Sequence, residues 1–167
     1  MGRLDVSIVW GYALHKVRER QWLKCQVTAV LEGLETMQKV PVLEGIAGHV
    51  QGVKFPLEYG KTVVIGRSRG ADLSLQQLDS YQNMSEEEKE QDRAFRTVSG
   101  RHFEVTMYNL KAVEIVNLSP NGTYVDGKPV DRQLVDDLAT NSHEIAFGLA
   151  ERMRLSIQDV PDSQESS

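Results

Sequence analysis

The sequence predicts a mainly β protein built as a sandwich of two sheets. Three observations carry this. From Val42 onward, short runs rich in β-branched and aromatic residues alternate with Gly, Asn and Pro turns: "HVQGVKFPLEYG", "KTVVIGR", "RHFEVTMY", "KAVEIVNL", "GTYVDGKPV", "HEIAFG" and "RMRLSIQ". Such runs recur at roughly 8–12-residue spacing, the interval of short antiparallel strands joined by tight turns. Asp126-Gly127 between "TYV" and "KPV" is a strong hairpin signal, because both central positions of that turn need positive φ. At 167 residues with 40% apolar content, the chain is long enough for one such domain and an extension.

Residues 1–44 read as a separate N-terminal, helical extension. No Pro falls between Trp10 and Met37. Leu23, Val27, Val30, Leu31, Leu34 and Met37 recur at helical spacing and line one face, with Trp10, Leu14 and Val17 as a second stripe. The helices are expected to end before Pro41. Their apolar stripe suits packing on the same domain or pairing with a second copy of the chain, a homodimer. Residues 45–158 form the β domain. "QQLDSYQNMSEEEKEQDRAFR", about residues 76–96, interrupts it. Ser85 with Glu88 makes a capping box. The acids that follow Ser85 fall in the first helical turn, where the helix dipole favours them. The expectation is a short, acidic surface helix inside a long loop. Residues 159–167 lack apolar anchors and are expected to be a disordered tail.

Composition excludes several functions. The net charge of −5 argues against a nucleic-acid partner, though a local cluster of donors can still bind an anion. No apolar run reaches the ~18 residues of a membrane helix, so no membrane insertion is expected. The single cysteine, Cys25, allows no internal disulfide framework and no cysteine-built metal site. It favours a reducing compartment, cytoplasmic, with the nucleus open to a eukaryotic chain. His15, His49, His102 and His143 show no metal-ligand spacing, and "GRSRGADL" lacks the Lys of a phosphate loop. No catalytic residue, metal or cofactor is therefore expected, and the protein is read as a non-enzyme.

The polar residues that stand out lie in three places. Val63 to Ile65 reads as a buried strand ending in Gly66, Arg67 and Ser68. A lone Arg usually makes a surface salt bridge, but its planar fork also suits phosphate. Ser99 precedes the next strand, where a Ser most often bonds local backbone. His102 follows, with no nucleophile motif around it, so a packed structural histidine is the better reading. "NLSPNGTYVDG" places Asn121-Gly122 in a turn, and the Asn amide can both donate to and accept from a peptide backbone.

Together the order Gly66-Arg67-Ser68, Ser99-x-x-His102 and Asn117-x-Ser119-x-Asn121-Gly122-Thr123 resembles the forkhead-associated (FHA) domain. The resemblance spans about residues 45–158. It implies an FHA-like sandwich of about eleven strands whose loops bind phosphothreonine. It implies that Arg67 and Ser99 contact the phosphate and that Asn121 holds the peptide backbone. Ser68, Arg101 and Thr123 complete the implied phosphopeptide-binding set, with Gly66, His102, Asn117 and Gly122 shaping the loops. The implied partner is a threonine-phosphorylated protein in signalling. The alternative is a structural or oligomerising protein with an FHA-like fold that no longer uses phosphate. Two departures stand out: the acidic insertion lengthens the gap from Arg67 to Ser99, and Gly100 replaces the family's frequent basic residue after the motif Ser.

Overall fold

The computed structural model describes residues 37–161, of which Gln38–Val160 form one compact unit. Eleven strands make two sheets. They are β1 (Met37–Ala47), β2 (Lys54–Pro56), β3 (Thr62–Gly66), β4 (Leu73–Ser74), β5 (Phe103–Met107), β6 (Val113–Asn117), β7 (Thr123–Val125), β8 (Lys128–Val130), β9 (Arg132–Val135), β10 (His143–Phe147) and β11 (Glu151–Pro161). One sheet has the order β2-β1-β11-β10-β7-β8, the other β4-β3-β5-β6-β9.

Alternation along the strands sends one face inward. In β5, Phe103, Val105 and Met107 are buried while Glu104 and Thr106 lean outward. Register pairs Ile65 with Phe103, and Val105 with both Val63 and Ile115, so one layer of apolar side chains crosses three strands. Ile145, Phe147, Met153 and Leu155 of the facing sheet close the core. Phe103 meets Phe147 edge to face at 5.0 Å, a favoured aromatic geometry. The expected hairpin forms between β7 and β8, with Asp126 at φ 50° and Gly127 at φ 77°.

The N-terminal boundary differs from the expectation. Residues 37–44 belong to strand β1, and the domain begins near Gln38 instead of residue 45. The helical periodicity up to Met37 does not continue because Val40 precedes Pro41, and a residue before proline is driven toward extended backbone. Val40, Val42 and Leu43 are buried, and the Pro41 carbonyl accepts the Leu57 N–H at 2.9 Å. The expected helices of residues 1–36, with the homodimer they would support, lie outside the described residues. At the other end β11 runs to Pro161, past the expected limit at 158, and the remaining tail also lies outside the described residues.

The insertion holds more structure than one surface helix. A 3-10 turn at Leu75–Gln77 leads to α1 (Asp79–Gln82), α2 (Glu86–Gln91) and α3 (Arg93–Thr97). The capping box forms as the sequence predicts: the Glu88 N–H donates to Ser85 Oγ at 3.2 Å and the Ser85 N–H to Glu88 Oε2 at 2.7 Å. Asp92 ends α2 and caps α3, accepting the Phe95 N–H at 2.9 Å. Phe95 and Val98 are buried in the core, so the insertion is anchored at its C-terminal end.

Far along β7 from its start, Asp126 and Asp137 grip His143 at 2.6 and 2.7 Å. Burial pulls the imidazole down, but the two carboxylates outweigh it and its pKa is raised above the ordinary 6.5. The Asn141 amide and His143 lower Asp137, and His143 with the Glu144 N–H lowers Asp126 against its own burial. The raised imidazole stabilises fully below pH 6.5 and loses that contribution as pH rises through its folded value. The lowered carboxylates stabilise fully above 3.8 and lose it as pH falls through theirs. Urea titrations are therefore expected to show the largest stability difference between wild type and His143→Gln at pH 4–6, shrinking toward pH 8. A difference constant with pH would refute the clamp.

Candidate functional site

The first two motifs meet because β3 pairs with β5. Their antiparallel ladder continues past the strand ends: the His102 N–H donates to the Ile65 carbonyl at 2.8 Å and the Arg67 N–H to the Ser99 carbonyl at 2.9 Å. The Ser68 N–H reaches the Gly100 carbonyl at 3.1 Å. Residues 32 apart in sequence thus become neighbours at one end of the sheet. Gly66 is required there. A Cβ on it would stand 2.8 Å from the Gly100 carbonyl carbon and 3.0 Å from Arg101 Cα, closer still to the Gly100 oxygen.

His102 joins the third motif. It is fully buried. The Ser99 N–H can only donate, so Nδ1 accepts it, at 3.0 Å. Nε2 must then carry the proton and donate to the Gly122 carbonyl at 2.9 Å. Burial lowers the imidazole pKa, and the Gly122 bond only partly opposes this. A second proton would also face the Ser99 N–H. His102 is a neutral crosslink between two turns.

Ser119 is the hub of the β6–β7 turn. It is buried, its N–H donates to Asn117 Oδ1 at 3.1 Å and its Oγ accepts the Asn121 N–H at 3.1 Å. Its hydroxyl meets Ser99 Oγ at 2.6 Å. When Ser119 donates across that pair, the Ser99 hydrogen is released toward solvent, where an anion can take it. Asn117 also donates from Nδ2 to the Ser119 carbonyl at 2.9 Å and so bonds the turn at both ends of Ser119. No role for Ser119 was legible beforehand, although Asn-x-Ser before a Pro-Asn-Gly turn is a pattern of local side-chain-to-backbone bonding.

Arg67 is half-buried, and among the described residues no hydrogen bond or ion pair holds its guanidinium. Its nearest aromatic partner is Phe95 of α3, with Cζ 6.0 Å from the ring centroid, at the limit of a cation–π contact. Phe95 in turn stacks on Tyr81 at 4.0 Å. Arg101 and Asn121 are exposed at the same rim. Asn121 Nδ2 donates to the Thr97 carbonyl at 2.7 Å.

Two residues of the implied ligand set are engaged within the protein. Thr123 is fully buried, and its hydroxyl donates to Asn117 Oδ1 at 2.9 Å, so it braces the turn from inside. The Ser68 hydroxyl donates to the Gly100 carbonyl at 2.9 Å, so in this structure its hydrogen is turned toward the neighbouring loop. Both side chains are short, and each is taken up by an acceptor close at hand: an Asn117 side-chain oxygen for Thr123 and the backbone of the neighbouring loop for Ser68. Among the described residues no group of His, Cys, Asp and Glu side chains could hold a metal, and no helix is long and apolar enough to cross a membrane.

A family model of the FHA domain matches residues 63–148, just over half of the chain. The chain belongs to the FHA domain family. Solved FHA domains share its fold. One from Chlamydia trachomatis is 22% identical, covering 71% of this chain and 98% of that one with a TM-score of 0.51. One from Arabidopsis thaliana is 18% identical, covering 75% and 92%, TM-score 0.53. An engineered FHA domain solved with a Myc-pTBD peptide is 17% identical, covering 72% and 92%, TM-score 0.50. No curated protein matches the chain. The matched segment contains every motif residue of the rim, from Gly66 to Thr123. The helical insertion lies inside it, between the two motifs that the FHA ladder brings together.

Proposed function

We propose that this FHA domain is a phosphothreonine-dependent binding module that docks a threonine-phosphorylated protein in a signalling setting. The observation that carries the reading is the half-buried Arg67 guanidinium, which makes no hydrogen bond or ion pair among the described residues, beside a Ser99 hydroxyl that its Ser119 partner can free for donation. Arg67 and Ser99 hold the phosphate, which carries about −1.5 to −2 charge at pH 7. Asn121, on the adjoining turn, holds the peptide backbone, and Arg101 lies exposed beside Ser99 and Gly100 to meet the ligand's outer charge. Charge-assisted bonds net about 1.5–3 kcal/mol each, so two of them separate phosphorylated from plain peptide by a hundredfold or more.

Calorimetry with a randomised-flank peptide mixture, centred on phosphothreonine, phosphoserine or threonine, tests this. The phosphothreonine mixture is expected to bind at least about 100-fold more tightly than the threonine one. Burying the threonine methyl gives about 0.8 kcal/mol, roughly a fourfold preference over phosphoserine before any shape effect. Equal binding of phosphorylated and plain mixtures would overturn the reading and leave a phosphate-independent scaffold in its place.

A further inference from the structure

The insertion ends in a residue that touches two rim turns at once. Thr97, the last residue of α3, donates its hydroxyl to the Ala94 carbonyl at 2.6 Å and accepts the Leu149 N–H on the same oxygen at 2.9 Å. Leu149 lies in the β10–β11 turn. The Thr97 carbonyl accepts Asn121 Nδ2 at 2.7 Å, on the β6–β7 turn. At its other end α3 is held by its cap Asp92, whose second oxygen meets His49 Nε2 at 2.6 Å. The middle of the helix is held by buried Phe95. Thr97 is therefore fixed from both sides, and it holds Asn121.

The chemistry of that one bond decides how Asn121 is presented. A carbonyl can only accept, so the Asn121 amide must turn its NH2 group, and not its oxygen, toward Thr97. The flip of the amide is thereby set. Its oxygen and its second N–H have no partner among the described residues, and both lie in the amide plane, one an acceptor and the other a donor. That pair complements the N–H and C=O of an extended peptide. Without the Thr97 carbonyl the amide could rotate freely, and ordering it would fall on the ligand.

We propose that Thr97 is a positioning residue of the peptide site: the insertion's last carbonyl orients the Asn121 amide for the ligand backbone. The proposal rests on the reading of Asn121 given above. It assigns the helical insertion a role in affinity, carried by α3 and independent of the acids of α2.

The test uses the full chain and three variants, Thr97→Val, Thr97→Ser and Asn121→Ala. Valine keeps the shape but loses the hydroxyl that ties Thr97 to Leu149 and Ala94, and serine keeps the tie. In the ligand-free protein, the Asn121 side-chain amide pair in a 1H–15N spectrum is expected to move toward the free-amide position and exchange faster in Thr97→Val, and to return in Thr97→Ser. The phosphothreonine peptide mixture is expected to bind Thr97→Val about 3- to 10-fold more weakly, the scale of one neutral hydrogen bond. In the Asn121→Ala background, Thr97→Val is expected to change the affinity no further, because the coupling between the two is then absent. An unmoved amide pair, an affinity that is unchanged or raised, or an additive double variant overturns the proposal. If wild type fails to bind the mixture, the phosphothreonine reading fails, and the amide spectrum still decides whether Thr97 orients Asn121.

Discussion

Replacing Arg67 with Ala is expected to abolish most phosphopeptide affinity while leaving the fold intact. The guanidinium offers a full positive charge that is half-buried, unlike exposed Arg101 on the same rim, and its backbone is held by the continued β3–β5 ladder. Truncating a partner of a desolvated charge pair costs about 2–5 kcal/mol. Half-burial places Arg67 in the lower part of that range, about 2–3 kcal/mol or roughly 30- to 150-fold in Kd. The fold is expected to tolerate the change, since the guanidinium makes no hydrogen bond or ion pair among the described residues and only a distant contact with Phe95. Arg67→Lys keeps the charge but loses the planar fork, and should fall between wild type and Ala. Calorimetry and thermal denaturation of the same samples separate the two effects. Near-normal affinity in Arg67→Ala would remove Arg67 from the site.

Substituting Gly66 by Ala is expected to damage both stability and binding. The added methyl would point at the backbone of Gly100 and Arg101, with the Gly100 carbonyl carbon at 2.8 Å. Backbone cannot rotate away as a side chain can, so the two loops must separate. Overpacking of this kind costs about 1–3 kcal/mol. The displacement falls on the step of the ladder where the Arg67 N–H meets the Ser99 carbonyl, so the spacing of the two proposed phosphate contacts changes with it. Affinity is expected to drop about tenfold or more, since a misplaced charge-assisted bond loses much of its 1.5–3 kcal/mol. Gly70→Ala is the matched control: the nearest atom to its Cβ would be Ser68 Oγ at 4.0 Å, and neither property should change. A Gly66→Ala protein with wild-type melting temperature and Kd would show that the close approach is not needed.

Much of this site was readable one motif at a time. Arg67, Ser99 and Asn121 stood out because their residue types suit phosphate and peptide, and their loops sit between recognisable strands. The capping box at Ser85 and the Asp126-Gly127 hairpin were readable because each is set by residues within four positions of one another. The facing of Thr123 and Ser68 was not readable, because a hydroxyl beside a motif gives no sign of the side it faces. Both turned out to be spent on neighbouring loop groups. Phe95 and Thr97 gave no signal at all, since nothing local says that an aromatic and a threonine at the end of an acidic insertion will meet Arg67 and Asn121.

The sequence by itself determined the strands, the turns and the kind of chemistry available, because periodicity, turn residues and functional groups are local properties. It also favoured a structural reading of His102, since no nucleophile motif or metal-ligand spacing surrounds it, while its neutral state follows from burial and from its bonds to Ser99 and Gly122. Only the tertiary structure decided which of those groups face outward together. The pairing of β3 with β5 sets Arg67 beside Ser99, the His102 crosslink draws in the turn of Asn121, and the anchoring of α3 places the Thr97 carbonyl under its amide. These are contacts between residues some 20 to 30 positions apart, and they are won by burying the core and saturating backbone donors, which no short stretch of sequence records.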